Sequence, residues 1–225
     1  MFTSHSHHGQ EPRWRRLPEE RPRQIIEAAF EVFGEHGLAA ARLEDIAKAA
    51  GVSKGTIYLY FPNKEALFCE MIRQVVGESL TQAQARVTEN ANSATVQLRE
   101  YMRVLWDYVR SPVFEKVYRL VQGDLQNFPG LLQFWIQEIP LRSMTAAAGI
   151  IRRGIETGEF RAVDPDAAAR MLHAILHKHG IWCVQRERNL FLTQLTDDEV
   201  FQQVQEFVLH ALLPNPNAPA GAAQE

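Results

Sequence analysis

Residues 43–62 read LEDIAKAAGVSKGTIYLYFP, an order of small, apolar and glycine positions that few backbone arrangements satisfy. Two short helices crossing at a tight turn do satisfy it. Ala47 is small enough for the second helix to pass over the first, and Gly51 stands where the turn takes a positive φ, which costs glycine little. Ile46, Ala50, Val52, Ile57 and Tyr60 are spaced to form the small core that fixes the crossing angle. A glycine ending a helix is a weak signal by itself, and a plain helical hairpin meets parts of the pattern. All of these features in one short stretch point to a helix-turn-helix.

The second helix of the pair, residues 53–61, carries groups suited to a DNA backbone and base edges. Ser53 and Thr56 offer hydroxyls, Lys54 a charge, Gly55 a close backbone approach and Tyr58 a long polar arm. Lys64, opening the next helix, adds a charge and exposed N–H groups that suit a phosphate. Each residue alone is an ordinary solvated position; their gathering on one short helix argues otherwise. The formal net charge of -3 excludes coating DNA by bulk charge, so any such contact is local.

The remainder reads as helix almost throughout, with apolar residues recurring at three and four and no sustained alternation of period two. The fold class is therefore all-α: a three-helix N-terminal helix-turn-helix domain and a larger helical domain behind it, roughly nine or ten helices in total. Residues 1–20, with His5, His7, His8 and an Arg-rich cluster, read as a flexible arm, and residues 214–225 as a Pro/Ala-rich disordered tail. The DNA-binding domain is assigned to residues 21–81 and the second domain to 82–213. Helices are expected at 22–36, stopped by Gly37, then at 43–50, 53–62 and from the cap Asn63 to about 87. Further helices are expected at 94–110, 113–126, 131–157 (kinked or split at Pro140), 164–187, and from the Thr196/Glu199 capping box to Pro214.

The segments IIEAAFEVFGEHG and LEDIAKAAGVSKGTIYLYFPNKEALF resemble the N-terminal domain of the TetR family of one-component bacterial repressors, over about residues 21–81. The resemblance implies three helices with the third entering the major groove, and a fourth leading to a variable ligand-binding and dimerisation region. It also implies DNA-contact roles for Ser53, Lys54, Gly55, Thr56, Tyr58, Tyr60 and Lys64, although the Tyr60 ring is equally a core candidate. Where that family places Ser or Thr to cap the second helix, this chain has Arg42, whose guanidinium can reach a phosphate while the cap itself is lost or shifted. The basic residues between Arg13 and Arg23 are either a minor-groove or phosphate arm or an unbound tail.

The same resemblance implies that the last two long helices make a homodimer interface, with Met171, Leu172 and Ile175 on the first and Val204, Phe207 and Val208 on the second. Either stripe can instead pack inside one subunit. A dimer would set paired recognition helices about 34–36 Å apart on an inverted-repeat operator. Between these regions the large side chains Tyr101, Leu105, Trp106, Phe114, Tyr118, Phe134, Trp135 and Met144 are individually ordinary core residues and collectively suit a mostly apolar effector pocket.

His173 and His177 have a chelating spacing, but no acid or cysteine completes a metal set, and a polar core or interface role is favoured. Cys69 and Cys183 lie far apart without partner spacing, which fits a reducing cytoplasm. No nucleophile–base constellation stands out, so neither catalysis nor a cofactor is expected. No apolar run approaches the roughly 20 residues of a membrane span, and the polar N-terminus lacks an export h-region. The expectation is a cytoplasmic homodimeric regulator, a repressor released from DNA by a small lipophilic or aromatic effector. Activation is a variant of this reading, and a helical protein-interaction module without DNA binding is the rival.

Overall fold

The computed structural model describes residues 20–77, 93–192 and 194–214. The N-terminal arm up to Glu19, the expected continuation of the fourth helix to residue 87 and the C-terminal tail from Asn215 lie outside these residues. Among the described residues there are helices and turns and no β-strand.

The N-terminal part comprises α1 (Glu20–Ala40), α2 (Leu43–Ala49), α3 (Lys54–Tyr60) and α4 (Lys64–Ile72). α1 is not one regular helix. Gly37, at φ 78° and ψ 163°, interrupts it where the sequence placed a stop, and one more turn follows before α2. That combination of angles is accessible essentially to glycine alone. The α2–α3 turn closes through Gly51 at φ 65°, the Val52 N–H donating to the Ala47 carbonyl at 3.0 Å. Ser53 caps α3 by accepting from the Thr56 N–H at 3.1 Å, and Asn63 caps α4 from Ala66 at 2.7 Å. Arg42 occupies the N-cap of α2 without a side-chain cap.

The following helices are α5 (Ala94–Val109), α6 (Pro112–Gly123), α7 (Pro129–Ile136), α8 (Arg142–Glu156), α9 (Pro165–Val184) and α10 (Asp197–Leu212). α6 ends at Gly123 and α9 at Val184, each about three residues short of the sequence expectation. Pro140 neither breaks the chain nor leaves it as regular α-helix. It sits in a π-turn, Gln137–Leu141, that joins α7 to α8; a widened turn leaves room for the ring and omits the hydrogen bond proline cannot make. Asp164 caps α9, and the Thr196/Glu199 capping box forms in full at the head of α10.

Two hydrophobic clusters hold the chain. One is built from α5, α8, α9 and α10, including Leu98, Met102, Trp106, Ile151, Leu176 and Phe201. The other gathers Ile25, Phe33, Ile46, Ile57, Phe61, Leu67 and Phe68 from α1–α4, and also Val117, Leu120, Val121 and Leu125 from α6 and the turn after it, with Leu131 from α7. Packing therefore joins α1–α4 to the later helices, since α6 lies on α1 and α7 on α4. The same helix also enters the first cluster through Phe114.

Candidate nucleic-acid interface and sensor core

α3 is seated by Ile57, fully buried, and by Phe61, which leaves the helix at its C-cap with extended backbone and turns its ring into the core. Tyr60, one of the expected core residues of the turn, is instead exposed, and Phe61 takes the core place. Tyr60 and Phe61 both stand at inward spacings from Ile57, and the extended backbone at Phe61 is what carries its ring inward and leaves Tyr60 out. Ser53, Lys54, Gly55 and Tyr58 are exposed as well, with Thr56 half-buried beside its cap. The Ser53 and Thr56 hydroxyls lie 2.8 Å apart.

Lys54 is not a free cation. Its ammonium donates to the Glu44 carboxylate on α2 and stands 5.8 Å from the Tyr58 ring centroid. The bond from Lys54 holds the Glu44 carboxyl below the usual carboxylate range. Lys64 is also engaged: its Nζ donates to the carbonyls of Ala39 and Ala41, both at 3.2 Å, so two of its three donors brace the elbow between α1 and α2. Arg42 is exposed at that elbow. The elbow is held from the opposite side by the C-cap residue of α6, because the Leu38 N–H donates to the Asp124 carboxylate. A further pair, Lys116 to Glu31 at 2.5 Å, ties α6 to α1. Glu44, Asp124 and Lys116 were not singled out by sequence, because none stands in a motif and each acquires its partner only through tertiary packing.

Of the eight residues expected to line an effector pocket, five lie in or against the first cluster and three elsewhere. Tyr101, Leu105, Trp106 and Phe114 are buried in the first cluster, and Tyr118 packs against it. Phe134 and Trp135 pack against the second cluster, and Met144 is half-buried on α8. Two apolar grooves, of about 350 and 540 Å³, run along α9 and α10, and none of the eight lines either. Of the six expected interface residues, Met171 and Phe207 are about two-thirds exposed and Ile175 is half-buried. Leu172, Val204 and Val208 are buried within the protomer, so their apolar character is accounted for by its own core.

At the centre of the first cluster lies a small polar group. The Tyr101 hydroxyl meets the Ser143 carbonyl at 2.8 Å, the Ser143 hydroxyl at 2.7 Å and His173 Nε2 at 2.5 Å. Ser143 interrupts the apolar series Ile139, Ala147 and Ile150 at helical spacing, which is how the sequence marks it. His177 sits one turn on, with its ring 5.2 Å from Phe114 and 5.8 Å from Tyr118. Among the described residues no group of three or more His, Cys, Asp or Glu is placed to hold a metal ion.

Burial, with the His177 charge adding to it, lowers the His173 pKa from 6.5 to about 4. Between those values the unfolded chain binds a proton that the folded chain refuses, so stability falls as pH drops through 6.5 and stops falling below about 4. At full development the loss is on the order of 3 kcal/mol. His177, lowered by burial, acts in the same direction. A His173→Gln protein should therefore lose less unfolding free energy than wild type between about pH 7.5 and about pH 5, read by urea titration. Equal losses would remove His173 as the titrating group. Glu159, held to about 2 chiefly by Ser93, titrates below this range and leaves the comparison clean.

The sequence pattern of the family described as "Bacterial regulatory proteins, tetR family" matches residues 25–71, and that of "AefR-like transcriptional repressor, C-terminal domain" matches residues 96–212. The Fatty acid metabolism regulator protein of Bacillus subtilis is 28% identical over 188 residues, 80% of this chain and 93% of its own. The HTH-type transcriptional repressor NicS of Pseudomonas putida is 32% identical over 144 residues, 63% and 65% of the two chains. The crystal structure of the regulator FadR from Bacillus subtilis in complex with stearoyl-CoA superposes with a TM-score of 0.66 at 25% identity, over 84% of this chain and 98% of that one.

Proposed function

Because this chain belongs to the TetR family of bacterial regulatory proteins, we propose that it is a homodimeric, sequence-specific DNA-binding repressor that a small lipophilic or aromatic effector releases from an inverted-repeat operator. The carrying observation is α3 itself, a short helix fixed by Ile57 and Phe61 that turns Ser53, Lys54, Tyr58 and Tyr60 outward with Thr56 at its edge. The relative solved with stearoyl-CoA supports an effector with a large apolar part. The exposed Met171 and Phe207 on α9 and α10 support pairing of two copies along that face. In this reading the protein works in the cytoplasm and catalyses nothing; no helix among the described residues is long and apolar enough to cross a membrane.

Coupling between effector and DNA would run through α6. Phe114 and Tyr118 on one side of it stack on each other at 5.4 Å and meet His177 of α9. The same helix places Val117, Leu120 and Val121 in the cluster that holds α1, and Asp124 grips the elbow ahead of α2. A ligand that displaces Phe114 or Tyr118 therefore moves the base of the helix-turn-helix. By linkage, an effector that weakens operator binding tenfold is itself bound about tenfold less well by the DNA-bound form.

Fluorescence anisotropy with the DNA upstream of the protein's own gene, in the presence of competitor, tests the reading. Wild type should bind selectively, and a Thr56→Ala, Tyr58→Ala protein should bind about 100-fold more weakly while its helical circular dichroism is unchanged. Failure of wild type to bind that DNA or any member of a random-sequence pool would overturn DNA binding in favour of a helical interaction module.

A further inference from the structure

Leu59 is 81% exposed, the most exposed of the large apolar side chains among the described residues, and it lies in the last turn of α3. Counting 100° per residue from the buried Ile57, positions 55 and 59 both point about 160° away from the core. They form the outermost line of the helix, with Thr56 and Tyr58 on either side of it. Gly55, one turn before Leu59, has no structural reason to be glycine. Its φ is not positive, and a Cβ built on it meets only the Ser53 hydroxyl at 3.7 Å. A glycine inside a helix destabilises it by roughly 0.5–1 kcal/mol relative to alanine. This line therefore presents bare backbone followed by a branched apolar knob, neither of which serves packing within the protomer.

On the DNA-binding reading above, the surface that meets this line is the floor of the major groove. Base edges there offer hydrogen-bond donors and acceptors, and the one apolar group among them is the C5-methyl of thymine. Leucine has no donor or acceptor, so it gains nothing from phosphates, guanine or adenine edges and leaves any of them desolvated without a partner. We propose that Leu59 reads a thymine C5-methyl group in each operator half-site, with the missing side chain at Gly55 allowing α3 to lie deep enough for contact. The polar residues beside it would position the helix on the backbone and on neighbouring base edges.

The test removes the methyl alone. Thymines of the selected operator are replaced one position at a time, symmetrically in both halves, by deoxyuridine, and binding is measured for wild type and Leu59→Ala. Wild type should lose roughly tenfold at one symmetric pair of positions. Leu59→Ala should bind the thymine operator more weakly, show no further loss at that pair and keep its sensitivity to base substitutions elsewhere. Low salt keeps the weakened variant measurable, since the phosphate contribution grows there, and circular dichroism checks that it folds. A wild type indifferent to every methyl, or a Leu59→Ala protein that still senses the same one, overturns the proposal while leaving DNA binding intact. A wild type that binds no DNA overturns both.

Discussion

A Gly37→Ala protein is expected to bind operator DNA about ten- to 100-fold more weakly than wild type while α5 and α8–α10 stay folded. Two costs coincide at this position. The backbone holds angles that an L-side chain adopts only at a strain of roughly 1–3 kcal/mol, and the new Cβ would overlap a carboxylate oxygen of Asp124. The elbow relieves both by moving, and its movement breaks the bond from the Leu38 N–H to Asp124 and carries α2 and α3 out of register with the partner's recognition helix. Operator affinity measured beside a urea titration separates the effects. An unchanged affinity would show that the elbow tolerates displacement and that Asp124 is not needed to aim α3.

Truncating Phe33 to alanine is expected to lower the free energy of unfolding by about 3–5 kcal/mol. Its ring is fully buried on α1, meets Phe68 of α4 edge-on at 6.1 Å and lies in the cluster that α6 completes. The neighbours are helices fixed from several directions, so the site cannot collapse to fill the space. Chemical denaturation followed by circular dichroism measures the loss. A change below about 1 kcal/mol would mean that the surrounding helices close over the cavity.

Where local chemistry decides structure, the sequence was sufficient. Gly37 and Gly51 take their positive φ, and Asn63, Asp164 and the Thr196/Glu199 box cap their helices, because each signal acts within a few residues of itself. Tyr60 was harder. On a seven-residue helix the spacings of three and four both pass for the inward face, and only the chain's departure at Phe61 decides between them. The effector candidates are divided between the two clusters for a different reason. An apolar stripe reports that a side chain is buried and not which neighbour buries it, so Phe114 and Val117, three positions apart on α6, look alike in sequence yet belong to different clusters. The same blindness mixed Leu172, a core residue, with the exposed Met171 beside it. Glu44–Lys54 and Leu38–Asp124 lay beyond reach, the latter spanning 86 positions of chain.

That α6 and α7 complete the N-terminal core bears on how such chains can be recombined. A chimaera joined at residue 81 would graft α1–α4 onto a foreign partner and strip away Val117, Leu120, Val121 and Leu131, leaving uncovered the sides of α1 and α4 they pack against. Inheritance of a new operator preference is then simplest by exchange of the α3 surface alone, whereas a new sensor arriving as a block must bring an α6 already fitted to this α1, with its lysine opposite Glu31 and its carboxylate opposite the Leu38 amide. Because α6 contributes to both clusters, no single residue of the chain marks a clean cut between the two halves.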